Sequence, residues 1–141
     1  MTDFSTPTVF PMPAVGDVLP ALTIDVDHTM IAAGALASQD FEDVHHDPSK
    51  ARARGSREVF MSINTTNGLI DRFITDWTGP AARIDSVKLR LGVPMYAGDS
   101  LALTGEVTHT EPLTVRVVGA NGLGVHVRAT VVLGEYGRDR A

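Results

Sequence analysis

The stretch from Ser62 to Pro80, SINTTNGLIDRFITDWTGP, is followed by four apolar-alternating segments and no further helical pattern. Within it Ile63, Ile70, Phe73, Ile74 and Trp77 recur at helical spacing and predict one amphipathic helix. Ser62 is a suitable N-cap and Gly79-Pro80 a suitable stop. Gly68, mid-helix, costs roughly 1 kcal/mol relative to alanine, so a close approach to a sheet is expected there. Downstream, Val87, Leu89 and Leu91 alternate with Lys88 and Arg90, and Leu101, Leu103 and Val107 with Ala102, Thr104 and Glu106. Val115 and Val117 follow, then Val125, Val127, Ala129 and Val131 against His126, Arg128 and Thr130. Period-two alternation over such lengths predicts half-buried strands. The turn signals are AGD at 97–99, EP at 111–112 and ANGLG at 120–124.

Upstream, ALTIDV (21–26) and TMIAAGALA (29–37) read as strands. Asp47-Pro48 reads as an N-cap with proline at the first helical position, opening a helix of about two turns that Gly55 stops. The expected fold is α+β: an antiparallel sheet of five or six strands wrapped around one long central helix. Residues 1–16, with Pro7, Pro11 and Pro13, read as an extended arm, 17–135 as the domain and 136–141 as a tail. One helix covers only one face of such a sheet. The other face or an edge strand then calls for a partner, so an oligomer is expected.

The chain has 141 residues, suited to one domain, with a formal net charge of −5. No basic block marks a nucleic-acid binder. The absence of cysteine excludes disulfides and thiolate metal sites. No apolar run reaches the roughly 20 residues of a membrane helix, and the start lacks the pattern of a signal peptide. The expectation is a soluble, cytoplasmic protein.

Functional chemistry concentrates in SQDFEDVHHDPSKARARG, residues 38–55. A metal is disfavoured. His45 and His46 are adjacent and diverge, and His45 has Phe41 and Ser49 four residues away on either side; His46 has only Glu42. Asp40 and His45, five residues apart, lie about 140° apart on a helix. They can converge if Asp40 lies where the strand ends and His45 lies one turn into irregular chain. So placed, the two can hold a water between a carboxylate and an imidazole for acid–base work. The plainer alternative makes Asp40 a cap and His45 a surface residue. Lys50, Arg52 and Arg54 are either phosphate contacts or a solvated helix face.

DFEDVHHDPSKA resembles the hydratase signature of the MaoC-like family through Asp40, Phe41, His45, Asp47 and Ala51. LRLGVPMYAGDSLALTGEV (89–107) resembles its second hallmark through Gly98, Asp99, Leu101, Gly105 and Val107, and Asn121 to Gly124 fits the turn before the last strand. The resemblance implies a single hot-dog fold and (R)-specific hydration of 2-enoyl-CoA, with Asp40 and His45 as the catalytic pair. It needs no cofactor, because CoA is part of the substrate. Three positions depart from the pattern: Glu42 replaces an asparagine, Ser62-Ile63 replaces His-Gly, and Asp71 or a neighbour replaces a serine. The resemblance then implies that the backbone N–H of Ile63 or Asn64, at the helix N-terminus beside Ser62, donates to the thioester oxygen.

DFEDVHHD, NGLIDRFITDW and LRLGVPMYAGD are similar to a narrower group, the small catalytic subunits of heteromeric steroid side-chain enoyl-CoA hydratases. That likeness implies a second MaoC-like hot-dog subunit as partner and a bulky acyl group. The alternatives are a homodimeric hydratase of short or medium chains, a hot-dog thioesterase using Asp71 or Asp76, and a non-catalytic acyl-CoA-binding subunit.

Overall fold

In the computed structural model, which describes residues 11–134, helix α3 (Ile63–Thr78) lies against one face of a five-stranded antiparallel sheet. Thr66, Leu69, Ile70, Phe73 and Ile74 form its buried face. They meet Leu101, Leu103, Val107, Val115, Val117, Val127 and Val131, all at zero exposure, pointing inward from three strands. Ile63 departs from the expected face. It sits in the first helical turn with its side chain exposed.

The strands are β1 (Leu22–Asp25), β2 (Ile84–Leu91), β3 (Ser100–Thr110), β4 (Leu113–Asn121) and β5 (Gly124–Leu133). Their order is β1-β3-β4-β5-β2, so β1 and β2 are the edges. The lower of the two expected strand counts is found because 29–37 is not a strand. It belongs to helix α1 (His28–Ala37). Asp27 caps it by accepting a hydrogen bond from Met30 N at 2.7 Å. Four alanines favour the helix, and Ile31 and Ala35, four residues apart, supply its buried stripe. A nearly unbroken apolar run hides that periodicity. Helix α2 (Pro48–Ala53) starts at Asp47, which accepts from Ser49 N and Lys50 N, as the Asp-Pro pair predicts.

The close helix contact falls at Gly34, not Gly68. A Cβ on Gly34 of α1 would overlap the Thr65 side chain of α3, whereas one on Gly68 would meet open space. The helix-to-sheet approach falls at Gly105 of β3, where a Cβ would stand 2.9 Å from the Phe73 ring.

The second face of the sheet does not require a cover. Its exposed positions include Thr104, Arg116, Lys88, Arg90, Arg128 and Thr130, side chains suited to water. The call for a partner therefore rests on the edges, where β2 leaves eight residues of backbone without a strand on one side. No helix among the described residues is long and apolar enough to cross a membrane. The 1–16 arm lies mostly, and the 136–141 tail wholly, outside the described residues.

Candidate active site

The end of α1 places the aspartate. Gln39 adopts a positive φ of 59°, and the chain reverses so that Gln39 N bonds Leu36 O and Asp40 N bonds Ala35 O at 2.8 Å. This is a Schellman stop, with Asp40 as the residue that closes it. Asp40 thus ends a helix and not a strand. A 3-10 turn, Asp43–His45, then turns the histidine inward. His45 is buried, which removes the surface-residue alternative; His46 is exposed.

Three side chains meet. His45 Nε2 lies 3.3 Å from Asp40 Oδ2. Ser62 Oγ donates to the same carboxylate oxygen at 2.5 Å. Behind the ring, His45 Nδ1 is 2.6 Å from the Phe60 carbonyl, and the Phe60 ring packs edge-on at 5.1 Å. A carbonyl only accepts, so Nδ1 carries a hydrogen and Nε2 is the ring nitrogen that faces Asp40. The Ser62 hydrogen bond, foremost, holds the Asp40 carboxyl below its ordinary value of 3.8. His45 and the Glu42 N–H act in the same direction, and burial opposes them.

Ser62 has a second role. It is the N-cap of α3 and accepts from Asn64 N at 3.2 Å. The capping pattern reveals that half of its function; its bond to Asp40, across 22 residues of sequence, has no local signal. The capping bond also separates the two oxyanion candidates. Asn64 N–H is taken, while Ile63 N–H has no protein partner among the described residues. The side chains of Phe41 and Ile63 stand 66% and 48% exposed beside Asp40 and Ser62, giving the site an apolar rim.

The remaining candidates divide. Arg54 bridges Glu42 Oε2 at 3.2 Å and Asp43 Oδ1 at 3.1 Å, so Glu42, the departure from the signature, ties the loop to the end of α2. Arg52 lies 3.9 Å from Glu58, and exposed Lys50 has no ion-pair partner among the described residues. Asp71 is nine residues along α3 from Ser62, about 13 Å at the helical rise, and Asp76 pairs with Arg72. Neither joins the Asp40–His45 pair. Among the described residues, no three His, Asp or Glu side chains gather as a metal site would need.

The second sequence hallmark is a brace. Asp99 Oδ2 accepts from Tyr96 N at 2.9 Å and from Asn121 Nδ2 at 3.1 Å, joining the 94–99 loop to the β4–β5 turn. That loop bonds the 59–61 segment through Met61 N to Met95 O and Ala97 N to Val59 O. The Phe60 carbonyl that orients His45 lies in this braced segment.

An α3 helix held on this sheet, with an Asp–His pair at its N-terminus, defines a hot-dog protein of the MaoC-like type, and the chain belongs to the MaoC-like CoA hydratase family. Over 124 residues it is 53% identical to the 3-oxo-4,17-pregnadiene-20-carboxyl-CoA hydratase beta subunit of Mycobacterium tuberculosis, covering 86% of this chain and 96% of the relative. A chain in the crystal structure of the ChsH1–ChsH2 complex from the same organism superposes with a TM-score of 0.85 at 53% identity, covering 87% of this chain and 98% of that one. The (R)-hydratase of A. caviae shares the fold, with a TM-score of 0.79 at 21% identity over 87% of this chain and 97% of that one. No family model matches the chain.

Proposed function

We propose that this chain is the catalytic subunit of an enoyl-CoA hydratase acting on a steroid side-chain thioester in the cytoplasm. The convergence of Asp40, His45 and Ser62 at the N-terminus of α3 carries the reading. With Asp40 ionised and Nδ1 protonated, Nε2 and the carboxylate are both acceptors. One water placed between them donates a hydrogen to each and keeps a lone pair free for C3 of the enoyl group. As the C3–O bond forms, His45 takes a proton from that water and the π electrons move towards the thioester oxygen. The Ile63 N–H, aided by the helix dipole, stabilises that oxygen. One proton then passes from the pair to C2, so water is added and nothing else is consumed.

The substrate class is supported by the relative at 53% identity, a 3-oxo-4,17-pregnadiene-20-carboxyl-CoA hydratase subunit. The exposed Phe41 and Ile63 fit a bulky apolar acyl group or a second subunit closing over it. Similarity to a chain of the ChsH1–ChsH2 complex supports a heteromer with a second MaoC-like subunit. The exposure of Lys50 and Arg52 on α2 supports contacts to CoA phosphates; Arg54 would first have to leave its two carboxylates.

Incubation of the assembled protein with a steroid side-chain enoyl-CoA tests the reading. Hydration removes the conjugated absorbance and releases no thiol. Thiol release would make it a thioesterase, and no change would make the chain a binding subunit.

A further inference from the structure

On the face of the sheet away from α3, a shallow groove of about 320 Å³ is lined by Lys88, Arg90, Arg116, Arg128 and Thr130, with Leu89 and Ala129. The strand registers fix how these residues stand. Arg116, Thr130 and Lys88 lie side by side across β4, β5 and β2, and in the next row Arg128 is directly opposite Arg90. Neighbouring strands are about 4.8 Å apart and same-face residues about 7 Å apart along a strand, so four cations surround one threonine hydroxyl within about 10 Å. Arg116 is held by Glu106 at 2.8 Å. Lys88, Arg90 and Arg128 have no carboxylate within ion-pair distance among the described residues. Two like charges directly opposite on paired strands are destabilising. Their concentration is also unusual in a chain of net charge −5.

We infer that this groove is an anion site for a phosphomonoester dianion, separate from the Asp40–His45 site on the other side of the sheet. Arginine forks match phosphate oxygens in pairs, and the Thr130 hydroxyl adds a donor at the centre of the ring. An anion there converts the Arg90–Arg128 repulsion into a shared attraction, which accounts for both arginines. The sheet fixes the backbone positions from which the cations reach before the ligand arrives.

Two probes distinguish the sources of such a phosphate: inorganic phosphate, and adenosine 3′,5′-bisphosphate, the phosphorylated end of a CoA. Each is titrated into the assembled protein at low salt while backbone amide shifts are followed. Saturable shifts in β2, β4 and β5 are expected with both probes, and inorganic phosphate should leave the α2 amides in place. A stronger response to the bisphosphate assigns a nucleotide-borne phosphate, and an equal response a free one. Arg128→Gln and Arg90→Gln should each weaken binding at least about tenfold, the loss of a charge-assisted contact. Each should leave the thermal midpoint unchanged or higher, because a repulsion has been removed, and a purely structural role would lower it. Shifts that map to α2 alone, no saturable response in β2, β4 and β5 to either probe, or unchanged binding in both variants would overturn the site.

Discussion

Ser62 shows how one side chain serves fold and chemistry at once. Its oxygen accepts from Asn64 N to start α3 and its hydroxyl donates to Asp40. Ser62→Ala should cost about 1 kcal/mol of stability as a lost cap. It should also remove the main influence that keeps the Asp40 carboxyl low. Since the mechanism uses ionised Asp40, the acid limb of kcat/KM should move to higher pH in the variant, while a residue acting only as a cap would leave the profile in place. Asp40 and His45 were legible as a pair from their position in the signature. Their convergence was legible only as a condition, because five residues of irregular chain leave the geometry open. The role of Glu42 was not legible at all, since its partner Arg54 lies twelve residues away on another element.

Among the elements, α3, α2 and the four downstream strands follow from periodicity and caps. The exception is α1, where an unbroken run of small and apolar residues carries no period to read. Its end matters for function, because Gln39 in the left-handed region delivers Asp40 to the site. A side chain there costs roughly 1 kcal/mol relative to glycine. Gln39→Gly should therefore raise stability by up to about that amount in urea melts, with hydration unaffected. The histidine read only as the polar side of β5 joins two elements. His126 is 1% exposed, with Nδ1 donating to the Val93 carbonyl at 2.7 Å and Nε2 accepting from Thr66 Oγ1 at 2.9 Å. Burial holds it below its ordinary value of 6.5, against a smaller opposing effect of Val93. The unfolded chain gains this proton first as pH falls, so stability should decline as pH drops below about 6.5 towards the folded value. Thermal midpoints between pH 7.5 and 5.5 should fall in the wild type and fall less in His126→Gln.

At the scale of the whole molecule, the expectation of an oligomer stands on one of the two grounds the sequence suggested, an open edge strand, and not on an uncovered face. The outer face of the sheet is polar and tolerates water. The apolar rim at Phe41 and Ile63 and the open edge of β2 are what a second subunit would cover. Light scattering should show the chain joining a second MaoC-like subunit in a heteromer, with two copies of each. A well-behaved homodimer that hydrates short straight-chain enoyl-CoA would contradict that assembly. The fold was legible because a single helix and an all-antiparallel sheet leave few arrangements. The partner was legible only through the likeness to heteromeric hydratase subunits, because an interface closed by another chain leaves only exposed apolar residues as its trace.

The central claim is that the proton-transfer groups belong to this chain. The direct measurement is the rate of hydration of a steroid side-chain enoyl-CoA by the assembled enzyme, with this chain as wild type, Asp40→Asn or His45→Ala, and with substrate binding followed in parallel. Each substitution should lower kcat by at least about 10², the usual loss for a positioned acid–base group, while the thioester still binds. Near-normal turnover in either variant would contradict the account.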